Sequence, residues 1–444
     1  MFSLNSEQKQ AVGLLSIGTF LEYFDLMLYI HMAVLLNELF FPKTDPHTAN
    51  LLIAFAFCSI SIFRPIGALI FGKIGDNLGR KATVVITTML MAMSCIIMAN
   101  LPTYAELGIT ASWIVIVCRM VQGMSSVGEI VGAELYLTET VKPPVSYQTI
   151  ALIGVSAALG GTAALGIASL STYLLFNWRI AFWIGAAIAL VGTFARITLR
   201  ETPEFVDARS RIKDTFKKSQ QDPKLLENNP IYNEKVNKTT VLALFLIYCT
   251  YPACFYFSYM YCANILKTSF GYSTGQVIHQ NFLVSLSELS MLLVLVYLTG
   301  KIPPLKILKI LIAIFAVFIL VCPYLLYNSK TPFDLLLIQS FAILFAPILM
   351  PAIPIFVKYF PVFKRFTYVG VTYAFSRTLI YIITSFGFIY LVEYIGHWGL
   401  LIIMIPTTLG FVFGLSHFEK LEKAAGNYYN KKNADSPDEV GSVR

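Results

Sequence analysis

Apolar residues in this chain come in long unbroken runs. Segments 82–105, 143–178, 239–266, 310–329, 335–357 and 398–416 contain no charged residue at all. A bilayer crossing takes about 20 mostly apolar residues. Backbone groups in lipid must satisfy each other internally, so such runs fold as helices. Their continuous apolarity, without period-two alternation, excludes a β-barrel. Twelve spans fit the pattern, near 12–40, 49–71, 82–101, 112–138, 147–174, 178–199, 240–267, 276–299, 307–327, 333–357, 367–392 and 397–416. The expected fold is an all-α membrane protein with twelve transmembrane helices in two six-helix halves, 1–199 and 239–416. Between them lies a charged linker, 200–238, with some helix. The polar stretch 417–444 is expected to be a disordered tail.

Composition agrees with this pattern. Of 444 residues, 57% are hydrophobic and 13% charged, about half the charged share of a soluble domain. The net charge of +8 reflects topology, not nucleic-acid binding. With the N-terminus inside, the outer segments hold just Lys43, Arg179, Lys267 and Lys330, and Arg64, Arg119, Arg196 and Arg377 fall within spans. The remaining Lys and Arg all lie in inner segments, which also puts the C-terminus in the cytoplasm. The start of the chain reads as a retained first span and not as a cleavable leader. Cys58, Cys95, Cys118, Cys249, Cys254, Cys262 and Cys322 sit in apolar runs without metal-ligand spacing, and read as packing residues. No metal, cofactor or enzymatic constellation is expected.

The loop after the second span reads GKIGDNLGRKATV, 72–84. Gly72, Asp76, Gly79, Arg80 and Lys81 have the spacing of a tight, charged turn that can latch helix ends. These positions resemble the signature loop of the major facilitator superfamily. Four stretches together are similar to its metabolite:proton symporter family, which includes proline/betaine, α-ketoglutarate, citrate and shikimate carriers: GTFLEYFDLMLYI (18–30), FRPIGALIFGKIGDNLGRK (63–81), CRMVQGMSSVGEIVGAELYLTET (118–140), and WRIAFWIGAAIALVG with LRETPEF (178–205). The resemblance implies the major facilitator fold and proton-coupled uptake across a bacterial inner membrane, by rocking of two halves about a midplane site. It is dense over 12–205 and thin afterwards. The second copy of the loop survives only as GKIPPLKILK (300–309), Val127 replaces a glycine usual in the family, and Arg377 stands where small residues are usual. The fifth span carries Gly154, Gly160 and Gly161 without the proline of drug antiporters, which favours symport.

An ionisable side chain near the bilayer centre costs at least about 2.5–3.5 kcal/mol, so each needs a partner or a role. Gly18, Glu22, Asp25 and Tyr29 share one face of the first span, as do Arg119, Gln122, Ser126 and Glu129 on the fourth. Both stripes are expected to line a cavity between the halves. Asp25 with Glu22 and Arg119 is the expected proton-coupling site, and Glu129 the next candidate. Tyr29, Arg64, Gln122, Glu288 and Arg377 are candidate substrate contacts, Glu288 and Arg377 either pairing or sharing a water-filled cavity. Tyr251 and Tyr256, beside Pro252, could cage a quaternary ammonium, while Tyr259 and Tyr261 fit an interfacial belt. Glu134 and Glu139 are expected to serve the latch, and Arg196 to snorkel. For all these charges, purely structural pairing is the alternative. The expected partners are a small-molecule substrate, protons and lipid, with no nucleic acid, and the chain is expected to be monomeric. A zwitterion such as proline or betaine leads, a dicarboxylate such as α-ketoglutarate follows, and a degenerate non-transporting sensor is the third reading.

Overall fold

A computed structural model of the chain describes residues 4–41, 46–174, 179–197, 199–219 and 234–427; within these, side chains are described except at 29–35, 37–38, 46–60, 171–174, 181, 195, 212–219 and 389. The described residues contain helices and turns and no strand. The principal helices of the described residues are, in chain order, α1 (Ser6–Phe40), α2 (Pro46–Asn77), α3 (Arg80–Asn100), α4 (Ile109–Thr140), α5 (Val145–Leu174), α6 (Arg179–Ile197), α7 (Lys238–Tyr256), α8 (Thr274–Thr299), α9 (Pro304–Tyr327), α10 (Pro332–Leu344), α11 (Val362–Ile395) and α12 (Leu400–Ala424). A further helix, Pro203–Ser219, follows α6 in the linker.

Local chemistry sets several of these ends. Asn237 caps α7 by accepting the Thr239 N–H at 2.8 Å. Thr331 and Asp334 form a reciprocal capping box around Pro332 at the start of α10, satisfying orphan donors there. Gly396, at φ 65°, ends α11.

Among the described residues, eight helical stretches are long and apolar enough to cross a membrane. One of them, Val362–Ala424, joins α11 to α12 and is 63 residues long, far beyond the 17–25 or so of a single crossing. The outer faces are apolar too, Phe194, Val191 and Val317 being 70%, 65% and 65% exposed. Apolar exposure on this scale marks a lipid-facing surface, and the chain is a multi-pass membrane protein.

The packing repeats. Before the linker, α1 packs on α5, α2 on α4 and α3 on α6; after it, α7 packs on α11, α8 on α10 and α9 on α12. The two sets meet where α2 lies along α11 and α5 along α8. Close approach needs small residues: a Cβ on Gly160 would lie 2.1 Å from the Phe20 carbonyl oxygen of α1.

Three features depart from the sequence reading. The expected span 333–357 is not one helix: α10 stops at Leu344, and after an irregular stretch the chain resumes as Met350–Ala352 and Ile353–Val357. Pro347, Pro351 and Pro354 explain the break, since each removes a helical N–H. In the second departure, α7 passes through a widened π-type turn, Phe257–Tyr261, before continuing as Cys262–Thr268. Last, the tail is helical to Ala424, with Glu419 bound to Lys309 at 2.6 Å and Glu422 to Lys358 at 2.6 Å; residues 428–444 lie outside the described ones. Cys95, Cys118, Cys249, Cys254, Cys262 and Cys322 are buried and free, and the side chain of Cys58 lies outside the described residues.

Gly160→Val should lower the thermal unfolding temperature of the detergent-purified protein, by overpacking worth about 1–3 kcal/mol. Gly13→Ala, where a Cβ meets nothing within 4 Å, should leave it unchanged or raise it. Equal behaviour of the two variants would contradict the α1–α5 contact.

Candidate functional site

The first buried cluster joins α1 to α4. Arg119 Nη1 lies 3.1 Å from Asp25 Oδ2. Gln122, one turn along α4, donates from Nε2 to Asp25 Oδ1 at 3.0 Å and accepts from Arg119 Nη1 at 2.7 Å. Cys95 of α3 approaches the same carboxylate at 3.8 Å. One turn back on α1, Glu22 faces Arg64 of α2 at a looser 3.7 Å, with Glu22 Oε2 and Arg64 Nε lacking hydrogen-bond partners. All five polar side chains are at least 95% buried.

A second cluster ties α4 to α6. Glu129 accepts from Thr87 at 3.0 Å and Thr88 at 2.5 Å and pairs with Arg196 at 2.6 Å. Arg196 also donates to the Leu14 carbonyl at 3.0 Å and to Thr88. Arg196 is fully buried; it does not snorkel, because Glu129 and helix-backbone carbonyls meet it inside the bundle.

A cavity of about 70 Å³ lies between the two helix sets. Its walls include Tyr23 of α1, Glu134 of α4, Tyr248 and Tyr251 of α7, Glu288 of α8, and Tyr373 and Arg377 of α11, with Ile348 to Met350 of the break after α10. Irregular backbone at membrane depth is tolerated where it lines such a cavity. The two polar stripes expected to line it do not: Glu22, Asp25, Arg64, Arg119, Gln122 and Glu129 are absent from its lining, consumed by their own pairs. The face of α1 turned to the cavity is the neighbouring one, Tyr23, Leu26 and Met27. The Tyr29 side chain lies outside the described residues.

Glu288 and Arg377 share this cavity without an ion pair. Glu288 accepts from the hydroxyls of Tyr251 and, at 2.8 Å, Tyr259. Arg377 lies over the Tyr373 ring at 4.7 Å and the Tyr251 ring at 5.8 Å. Tyr259 is buried here and not in a belt. In a regular helix Tyr251 and Tyr259 would point about 80° apart; the π-type turn takes up one extra residue and swings Tyr259 round to Glu288. Tyr256 packs against Phe388 at 5.9 Å and is not part of the cavity lining. Glu134, expected at the latch, is on the cavity wall instead, one helical repeat deeper than Glu139.

At the end of the bundle carrying the α2–α3 loop, the latch is closed. Asp76 accepts the Phe366 and Thr367 backbone N–H groups of α11 at 3.0 and 2.9 Å. Arg80 forks onto Glu139 at 2.9 and 2.8 Å, and donates to the Gly75 and Val362 carbonyls at 2.7 and 2.8 Å. Arg365 of α11 joins Glu139 and Glu204, both at 3.0 Å. Gly79, at φ 116°, makes the turn a side chain would strain, and a Cβ on Gly72 would sit 2.8 Å from Thr367 Cα. Lys81 contributes its backbone N–H, which approaches Glu201 at 3.3 Å. The linker supplies parts that the sequence reading missed. Glu201 caps α3 through the Arg80 N–H at 2.9 Å, Thr202 donates to Glu139 at 2.8 Å, and Phe205 lies under the Arg80 guanidinium at 5.1 Å. The LRETPEF stretch was the available signal.

Removing one member of a buried ion pair costs about 3–5 kcal/mol, so Glu139→Gln and Asp76→Asn should both release the latch. The measure is alkylation, from the latch side, of a cysteine introduced by Ser285→Cys on the cavity wall in a background without native cysteines. The rate should rise in both variants. An unchanged rate would show that these contacts do not close the bundle.

Comparison with known proteins agrees with this architecture. The sequence pattern of the Major Facilitator Superfamily matches residues 15–385. The inner membrane metabolite transport protein YhjE of Escherichia coli (strain K12) is 35% identical over 212 residues, 46% of this chain and 48% of that protein. The proline/betaine transporter of Salmonella typhimurium is 28% identical over 221 residues, 48% of this chain and 44% of that one. These alignments thus span about half the length of the curated relatives. The solved structure of the proton:xylose symporter XylE superposes with a TM-score of 0.75 at 16% identity, covering 94% of this chain and 99% of that one; at that identity the likeness concerns the fold. With the family pattern running across most of its length, the chain belongs to the Major Facilitator Superfamily, whose members here are transporters and not enzymes.

Proposed function

We propose that the chain is a proton-coupled symporter of a small polar metabolite, working by alternating access in a bacterial inner membrane. In this reading twelve helices cross the bilayer, both termini are cytoplasmic, and 1–199 and 239–416 rock as two halves joined by 200–238. The latch is then the cytoplasmic gate, shut, with the carrier turned towards the outside.

The observation that carries the reading is the buried Asp25–Arg119–Gln122 cluster beside a cavity between the halves. Arginine stays protonated, so the proton must be exchanged by the acid. A proton on Asp25 replaces its charge pair with a neutral acid and frees Arg119, which already donates to Gln122, to turn away from α1. Rocking that changes the contact between α1 and α4 would favour one arrangement on each side of the membrane. Glu22, held loosely by Arg64, is the neighbouring acid through which a proton could pass. The substrate reading is a zwitterion of proline or betaine type, supported by a cavity with both an arginine and carboxylates. A dicarboxylate is the second reading, favoured by Arg377 alone. The degenerate non-transporting reading finds less support, since the charged cavity persists although the second loop copy has eroded.

In proteoliposomes, Asp25→Asn should abolish substrate accumulation driven by a pH gradient while exchange of substrate down its own gradient continues. Glu22→Gln should weaken accumulation less. Intact gradient-driven accumulation in both variants would refute the assignment and move attention to Glu129.

A further inference from the structure

Three buried polar atoms on the wall of the central cavity have no hydrogen-bond partner among the described residues: Glu134 Oε2, Arg377 Nε and the Tyr248 hydroxyl. Glu134 and Tyr248 are 2% and 3% exposed. Folded interiors leave few buried polar groups unpaired, because an unpaired one keeps the full cost of its lost hydration. Three on one cavity, with charge of both signs among them, mark the contacts a ligand completes.

Glu288 and two of the aromatic rings of the cavity are already engaged. Glu288 accepts two tyrosine hydroxyls. The Tyr373 and Tyr251 rings, which could hold a quaternary ammonium by their faces, are covered by the chain's own Arg377 guanidinium at 4.7 and 5.8 Å. The three unpartnered atoms are an N–H donor on a cation, an oxygen of a carboxylate, and a hydroxyl that can serve either.

From this geometry we infer that the central cavity is a site for compact amino-acid zwitterions whose nitrogen carries at least one hydrogen. The substrate carboxylate accepts from Arg377 and its ammonium donates to Glu134. A fully methylated nitrogen has no hydrogen for Glu134 Oε2 and finds the Tyr251 and Tyr373 faces beside it already covered by Arg377. A dicarboxylate would set its second anion against Glu134 and Glu288. The inference rests on the transport reading only in taking this cavity as the substrate's seat.

The test is equilibrium binding to the detergent-purified chain without any gradient, using two matched pairs: L-proline with N,N-dimethylproline, and glycine with glycine betaine. 2-Oxoglutarate serves as the dicarboxylate. In at least one pair the N–H form should bind at least about tenfold tighter than its methylated partner, the size expected for a lost hydrogen bond to a charged group. 2-Oxoglutarate should bind more weakly still. Glu134→Gln should weaken the N–H form about tenfold and narrow the gap to the methylated one, with Tyr248→Phe as a milder second variant. If Glu134→Gln does not fold, the ranking on the unaltered chain decides alone. Equal or tighter binding of the methylated form in both pairs, tighter binding of 2-oxoglutarate, or undiminished affinity in a folded Glu134→Gln variant would each overturn the inference. Failure of the proton-coupling reading would look different: this ranking would persist, and uptake would ignore the pH gradient.

Discussion

A charge removed from water must meet a countercharge or a set of hydrogen-bond partners, and in an apolar bundle this requirement fixes which helices can be neighbours. Four guanidinium groups, Arg64, Arg80, Arg119 and Arg196, are at most 1% exposed. Each faces a carboxylate, and each pair joins different helices: α2 to α1, α3 to α4, α4 to α1, and α6 to α4. Such pairs add little net stability against an apolar substitute, yet breaking one is costly. They therefore act as registry devices. All four lie within the part of the chain preceding the linker, so this part behaves as one interlocked unit. Arg365 is the partner that reaches Glu139 from the later helices, and its bond is among those that the proposed rocking would break, with Asp76 to the Phe366 and Thr367 N–H groups and Arg80 to the Val362 carbonyl.

The helical architecture was legible in the sequence because lipid tolerates so few alternatives. Long uncharged runs, the linker at 200–238 and the glycine–aspartate–arginine loop each obey a strong local rule. The contents of the site were less legible. Helical spacing put Glu22 and Asp25 with Tyr29 on one face of α1, and Glu22 and Asp25 are indeed both turned into the bundle. Spacing does not say whether a face meets a cavity or a partner charge, and here the partners, Arg64 and Arg119, come from other helices. Arg196 misled for the same reason, since its position near a span end fits a snorkelling side chain until Glu129 is seen beside it. Tyr259 and the broken α10 turned on backbone irregularities. Pro347, Pro351 and Pro354 gave the second away, but nothing in FSYMY announces a π-type turn.

The central cavity obeys the opposite logic to the paired clusters. Its acids and its arginine are not spent on one another. Glu288 is held by tyrosine hydroxyls and Arg377 by ring faces, interactions that fix orientation while leaving charge available. A site of this kind costs stability in the empty state and regains it when a ligand supplies the missing partners. It is also built from both helix sets, Glu134 from α4 and Arg377 from α11, so a ligand bridging them bears directly on how the sets lie against each other. Under the proposed alternating access, any difference in that fit between the two states is the most a ligand can contribute to the change between them.

The surviving loop and its eroded copy lie at the same end of the bundle, and it is the surviving one that supplies an acid to the contact between the helix sets. Asp76 reaches α11 through backbone N–H groups, so its hold does not depend on which side chains α11 carries. Drift in the later half could change Phe366 or Thr367 without cutting the bond. The copy at 300–309 has no acid in the corresponding place. The nearby basic residues Lys309 and Lys358 instead pair with Glu419 and Glu422 of α12, inside the later helices. Closure at this end therefore rests on Asp76, Arg80, Glu139 and the linker's Glu201, Thr202 and Glu204 together, a network in which the loss of one member leaves others buried and uncompensated. Because the linker is covalently tied to both helix sets, its acids turn the latch into a three-way junction, and movement of α11 away from Glu139 has to move Glu204 as well or break a second ion pair.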